Sequence, residues 1–147
     1  MSPASGIQAE RWRENWRTLG DGAVRVEVRS RSGDAVARQI RQLPPGTPVV
    51  LAASGPTATR RCRALAARTG VALEREFLAI PTATAPGCLV ENAPAPVRAF
   101  VRSVLVAPQD TRLGPVLDAG LALLRAIDPL RLLRIIVPGR LILGMRT

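Results

Sequence analysis

The spacing of hydrophobic and polar positions along the chain predicts an alternation of strands and helices. Valines alternate with charged residues over 24–28, which predicts a half-buried strand. Residues 48–53 carry no charge, which predicts a strand covered on both faces. A third strand follows at 71–80, and apolar residues in the two intervening segments recur at helical spacing. This order predicts an α/β fold, a sheet with helices packed on it.

Prolines and glycines separate these elements and change the pattern after residue 80. Pro44-Pro45-Gly46 ends the first of the two helices, and Gly70 ends the second. Residues 81–96 contain four prolines, which predicts a long loop with a short strand at 88–91. Helices are predicted at 97–106, 113–127 and 130–136, and a closing strand at 140–146. We therefore predict a single domain over 1–147, with a Pro-rich loop and helical insertion over 81–138.

The N-terminal segment, residues 1–22, is predicted to be helical at 7–18. Trp12 and Trp16 are four positions apart and fall on one helix face. They can form an aromatic patch for a ligand, a membrane interface or a base, or they can pack this helix on the body of the protein. The first residues lack the apolar core of a signal peptide, and no apolar run reaches the roughly 18 residues that span a bilayer. We expect a cytoplasmic protein.

The charge of the chain is strongly positive, and its source is arginine alone. The formal net charge is +10, and all 21 basic residues are arginine. Guanidinium groups grip phosphates and carboxylates bidentately, but arginine also accompanies abundant alanine, proline and valine in GC-rich genomes. In either case a pI near 11.7 favours attraction to nucleic acid, anionic lipid or acidic partners.

The absence of histidine and lysine from the sequence restricts its catalytic chemistry. A nucleophilic cysteine or serine has no histidine base, and a Ser–Lys pair is excluded. Cys62 and Cys88 cannot form a tetrahedral zinc site alone, so we expect no metal and interpret both thiols as buried or half-buried, with a disulfide as the alternative. Glu74 and Glu76 are predicted to share a strand face, where two carboxylates can act as acid and base, although solvation of a strand edge is the more common role.

The turn after the buried strand is the best candidate for a binding site. Backbone N–H groups at the start of a helix, with arginines one turn in, can hold a phosphate or carboxylate. The candidate anion-binding residues are Ser54, Gly55, Thr57, Thr59, Arg60 and Arg61. The alternative is ordinary capping of the helix by Ser54 or Thr57.

Two of these turns and the last strand carry a resemblance to a known family. Leu43-Pro44-Pro45-Gly46 precedes the buried strand, Gly70-Val71 opens the next strand, and Leu141–Met145 forms the closing strand. This order resembles the C-terminal half of class I S-adenosylmethionine-dependent methyltransferases. The resemblance implies a small Rossmann-like sheet of about four or five strands, with a closing strand antiparallel to the strand that begins at Gly70-Val71.

The resemblance does not extend to the half of the family's fold that binds the cofactor. That half needs a Gly-rich turn after its first strand and an acidic residue after its second. Only about 22 residues precede the first strand here, and no such turn is present. No cofactor-binding residue is therefore carried over, and no cofactor is expected.

The function that the resemblance implies is that of a non-catalytic or accessory methyltransferase-like protein of a bacterial biosynthetic pathway. It would act as a homo-oligomer or with a protein partner that completes its sheet. One alternative is a transferase acting on a phosphorylated or nucleotide-linked substrate. The other is a basic module at an anionic membrane surface or on nucleic acid, of which nucleic acid is the less favoured.

The apolar segment 113–137 bears on these partners. Leu117, Leu121 and Leu124 recur near helical spacing, and arginines lie beside them. Such a segment can fill a core or a dimer interface, or it can lie on an anionic membrane surface. We expect a core or interface role, with peripheral association at the inner face of the membrane as the alternative.

Overall fold

A five-stranded mixed sheet forms the centre of the structure. The computed structural model describes residues 22–31, 33–103, 114–126 and 128–147. The predicted helix at 7–18, with Trp12 and Trp16, lies outside these residues. In chain order the described elements are β1 (Val24–Glu27), α1 (Asp34–Gln42), β2 (Pro48–Ser54), α2 (Ala58–Thr69), β3 (Val71–Ile80), β4 (Cys88–Glu91), α3 (Pro94–Ser103), α4 (Gly114–Ala126), α5 (Pro129–Ile136) and β5 (Gly139–Arg146).

The strands lie in the order β1-β2-β5-β3-β4, so the last strand of the chain enters the middle of the sheet. β1 and β2 are parallel, and β5 is antiparallel to both of its neighbours, β2 and β3. β3 therefore runs in the same direction as β1 and β2, and β4 pairs antiparallel with its outer side. The predicted α/β fold, with helices on a small sheet and an antiparallel closing strand, is confirmed.

The first core lies between the sheet and the helices α1 and α2. Residues 49–53 of β2 are all buried, as expected of a strand covered on both faces. Ala37 and Ile40 of α1 are buried here, whereas Ala35 is exposed. Val36, Ala37 and Ile40 of α1, together with Leu43 directly after it, form the apolar stripe that packs against the strands.

A second core lies beside the first on the same face of the sheet. Cross-strand neighbours share a face, and in the β3–β5 register Leu78 is opposite Arg140 while Glu76 is opposite Ile142, a member of the first core. The second core contains Leu78, Val90, Val97, Phe100, Val101, Leu130, Leu133 and Val137, from β3, β4, α3, α5 and the residue after α5. The opposite face of the sheet buries Val50, Ala52, Phe77, Ala79 and Leu141, together with Ala83 of the loop after β3.

A β-bulge in β3 alters one predicted relationship. The β3–β5 register shifts between Leu73 and Arg75, which leaves Glu74 without a register partner. Glu74 is exposed, whereas the side chain of Glu76 is 12% exposed. The prediction that Glu74 and Glu76 share a regular strand face is therefore wrong. The extra residue of the bulge interrupts the alternation of side chains between the two faces of the sheet.

Candidate functional site

A cleft of about 330 Å³ opens where β1 and β2 end. Residues 27–30 and 52–54 form its walls at the two strand ends, and Arg61 of α2 closes one side. Ala83 and Thr84, from the loop after β3, close another. Ligands of open α/β sheets bind outside the carboxyl ends of the parallel strands, and the cleft occupies that position on β1 and β2.

Arg61 is the charged side chain that α2 contributes to this cleft. Its terminal amino group donates a hydrogen bond to the backbone carbonyl of Ser54, at the end of β2. Its Nε is buried and has no hydrogen-bond partner among the described residues. The guanidinium group is therefore fixed in position by the strand end, while part of its donor capacity is left unused.

The turn between β2 and α2 brings Arg61 to this position. Gly55 has a φ of +98°, a conformation that side chains with a Cβ rarely adopt. Its amide donates to the carbonyl of Pro138 (2.9 Å), which ties the turn to the residue before β5. Its carbonyl accepts from the amide of Ala58 (3.1 Å), so that α2 begins directly at the strand end.

Two side chains of β1 and its extension organise the other wall. Arg25 donates to the carbonyl oxygens of Ala83 (2.5 Å) and Thr84 (2.9 Å), which holds the loop against the strand. Arg29 forms an ion pair with Glu27 at the rim, with an N–O distance of 3.0 Å. Arg29 and Arg61 outnumber the one carboxylate in the cleft lining, so the cleft favours an anion, and Glu27 adds an acceptor beside it.

The structure divides the six candidate anion-binding residues into three groups. Ser54 and Arg61 line the cleft, and Gly55 shapes the turn between them. Thr59 donates its hydroxyl to Glu76 (2.8 Å) and so belongs to a different cluster. Thr57 and Arg60 are exposed. Thr57 is the N-cap residue of α2, but its side chain makes no capping hydrogen bond, so the alternative of capping by Thr57 is wrong.

Glu76 lies at the centre of a second, partly buried polar cluster beside α2. Its carboxylate accepts hydrogen bonds from Thr59 (2.8 Å), Asn92 (2.9 Å) and Arg63 (3.2 Å). Arg140 of β5 approaches it to 3.9 Å. The cluster thus joins α2, β3, β5 and the residue after β4, and its contacts are those of a structural junction.

Arg140 and Asn92 were not predicted to take part in any cluster. Arg140 donates to the carbonyls of Arg134 (2.6 Å), Val137 (2.5 Å) and Gly139 (3.0 Å). Burial lowers its pKa, and the nearby Glu76 carboxylate opposes this effect. The one available signal in the sequence was Arg140, directly before the uncharged run 141–145 of the closing strand.

Both cysteines are free thiols. Cys62 is buried and Cys88 is half-buried, as the sequence predicts. Burial raises the pKa of Cys62 to about 11, with a smaller contribution from Glu76, while Arg61 acts in the opposite direction. Burial also raises the pKa of Cys88. Within the described residues, no group of three or more Cys, Asp or Glu side chains is arranged to hold a metal ion. No helix in this part of the chain has both the length and the hydropathy to cross a bilayer.

Comparisons with known proteins add no relative to this description. No protein-family model, curated protein or solved structure matches the chain.

Proposed function

We propose that the protein is an accessory, methyltransferase-like protein that holds an anionic group of a ligand in the strand-end cleft and acts with a partner. The observation that carries the ligand-binding part is the position of Arg61, which is fixed by the Ser54 carbonyl at the carboxyl end of a parallel strand. Positioned guanidinium groups at such places bind phosphates and carboxylates.

The methyltransferase-like part of the proposal is supported by the arrangement of the elements that carry the resemblance. β1, β2 and β3 share one direction, and β5 is antiparallel to β3, as the resemblance implies for the closing strand. Gly70 ends α2 with a φ of +67° and leads directly into β3. Because the sequence lacks the Gly-rich turn of the cofactor-binding half, the proposed role is non-catalytic, in a bacterial biosynthetic pathway, with a second copy or another protein as partner.

The proposed ligand is a phosphorylated or nucleotide-linked small molecule. A volume of about 330 Å³ falls in the range of small-molecule sites, which runs from about 300 to 1,000 Å³. The guanidinium of Arg61 offers directional donors to a phosphate or carboxylate. A transferase acting on the same class of substrate is the alternative, and Glu27 is the carboxylate of the cleft that such a reaction could use.

Peripheral association with the inner face of a membrane is a second candidate role. It is favoured by exposed apolar side chains on α4 and α5, of which Ile135 is 79% exposed and Val116 is 68% exposed. These helices lie away from β1 and its cleft in the sheet order, on the side of β3 and β4.

A thermal-shift screen tests the ligand-binding proposal. The purified chain is heated with inorganic phosphate, pyrophosphate, nucleoside monophosphates and dicarboxylates, and with chloride at matched ionic strength. A ligand that binds the folded state raises the melting temperature with its concentration. The proposal predicts protection by at least one phosphorylated ligand, and equal melting in all the anions would contradict it.

A further inference from the structure

Helix α4 exposes apolar side chains to a degree that is unusual for a helix of a globular domain. Val116 is 68% exposed, Leu123 is 61% exposed and Leu117 is 44% exposed. Among the residues of α4 whose burial is described, Gly114 is buried, Leu121 is half-buried and the others are exposed. The helix therefore presents most of its apolar surface outward, where exposed apolar patches commonly mark interaction sites.

The outward residues of α4 form one continuous stripe. Val116, Ala119, Gly120 and Leu123 follow the spacing i, i+3, i+4, i+7, which places them on one helix face, and all four are exposed. Asp118 lies on a different face of the helix by the same spacing. The stripe is therefore uncharged along two turns of the helix.

Helix α5 adds to this apolar surface. It packs on the core through Leu130 and Leu133, while Ile135 and Ile136 are 79% and 62% exposed. α4 and α5 are in contact with one another and with α3. We name Val116, Leu123, Ile135 and Ile136 the α4–α5 apolar surface.

The charges around this surface indicate the chemistry of its partner. The helices α3, α4 and α5 contain five arginines and one aspartate, and Asp128, the N-cap of α5, forms an ion pair with Arg131 (3.7 Å). Arg98, Arg102, Arg131 and Arg134 are exposed, and the Arg131 side chain is 86% exposed one turn from Ile135. An apolar helix face flanked by arginines is the pattern of helices that lie on anionic lipid. A second copy of this chain, with its own charge of +10, would instead bring like charges together.

We propose that the α4–α5 apolar surface docks on the surface of an anionic lipid bilayer, with its apolar side chains at the headgroup–acyl boundary and the arginines at the lipid phosphates. This inference rests on the membrane-association role proposed above and specifies the residues and the lipid class. It is independent of the ligand in the strand-end cleft.

Vesicle co-sedimentation of the full chain tests the proposal. The vesicles contain either phosphatidylcholine alone or equal parts of phosphatidylcholine and phosphatidylglycerol. The double variant Leu123→Ser, Ile135→Ser removes apolar area without changing charge. Met145→Ser, at a site of 40% exposure on β5, is the matched control for removal of an exposed apolar side chain. Arg131→Gln tests the charge contribution, and circular dichroism confirms that each variant is folded.

The wild type is expected to bind the mixed vesicles and not those of phosphatidylcholine alone. The double variant should bind the mixed vesicles at least about tenfold more weakly, Arg131→Gln about fivefold more weakly, and Met145→Ser as the wild type does.

Unchanged binding of the double variant, with the wild type bound, would overturn the assigned surface but leave membrane association standing. A wild type that binds neither vesicle would overturn both. If light scattering then shows a dimer that the double variant dissociates, the occupant is a second copy. None of these outcomes affects the cleft, which the thermal-shift screen tests separately.

Discussion

Glu76 of β3 and Arg140 of β5 form an ion pair beneath the start of α2, with 3.9 Å between Nε and the nearer carboxylate oxygen. Their side chains are 12% and 7% exposed, so both charges are largely removed from water. Oε1 of Glu76 also accepts from Thr59 and Asn92, Oε2 accepts from Arg63, and Arg140 donates to three backbone carbonyls. Burial of two charges is tolerated under such conditions, and the pair links the closing strand to the helix that carries Arg61.

Removal of the Glu76 carboxylate should destabilise the fold. Glu76→Ala leaves Arg140 buried without its counter-charge, a change that typically costs about 3–5 kcal/mol. Glu74→Ala, at the exposed bulge position, should change the free energy of unfolding by no more than about 0.5 kcal/mol. Urea denaturation of both variants measures this difference, and equal stabilities would show that the cluster contributes nothing.

The stability of the fold should decrease at alkaline pH because of Cys62. The thiol has an ordinary pKa of 9.0 and a pKa of about 11 in the folded protein, because burial disfavours the thiolate. Between these values the unfolded chain has lost the proton and the folded chain has kept it, so stability falls as pH rises. A pKa raised from 9.0 to about 11 corresponds to a contribution of roughly 3 kcal/mol.

Denaturation midpoints from pH 8 to pH 11, on the wild type and Cys62→Ala, measure this effect. The alanine variant should lose most of the decline, and the remainder is expected from Cys88, whose pKa burial also raises. An equally steep decline in Cys62→Ala would exclude the thiol as its cause.

The two thiols should also differ in their reactivity toward alkylating reagents. Cys62 is fully buried and Cys88 is half-buried, and reaction requires an accessible thiolate. Iodoacetamide under native conditions should therefore modify Cys88 before Cys62, as measured by peptide mass spectrometry. Modification of Cys62 first would contradict its placement in the core between β2 and α2.

The chain alone should not bind S-adenosylmethionine. The Gly-rich turn and the acidic residue that hold this cofactor in the resembling family are absent from the sequence. Titration calorimetry with the cofactor should give no heat of binding beyond dilution. Micromolar binding by the isolated chain would contradict the accessory role.

Much of the fold could be predicted from local patterns. The five buried residues of β2 are continuous in the sequence, and the glycine and proline turns mark most element ends. Even the two helices around Pro129 were predicted, because proline cannot continue a helix except in its first turn. The helix predicted at 97–106 begins earlier, at Pro94, since prolines are tolerated at the start of a helix.

The contacts of the Glu76 cluster and of the strand-end cleft could not be predicted in the same way. Glu76 and Arg140 are 64 positions apart in the sequence, and their pairing depends on the register between β3 and β5. Local spacing does not encode that register. The direction of α4 was also inaccessible, because periodicity identifies a stripe without showing whether it faces the core or the solvent. For the anion site, spacing treated Arg60 and Arg61 alike, and only the turn geometry separates them.

The most direct test of the central claim compares Arg61→Gln with Arg60→Gln. Both changes remove one charge from adjacent positions of α2, but Arg61 lines the cleft whereas Arg60 is exposed and is not part of its lining. Titration calorimetry with the phosphorylated ligand that best protects the wild type should show binding weakened about tenfold to a hundredfold in Arg61→Gln, because this variant cannot form the charge-assisted hydrogen bond to the ligand. Arg60→Gln should bind within about twofold of the wild type. Equal affinities in the wild type and Arg61→Gln, or an equally large decrease in both variants, would contradict an anion site at Arg61.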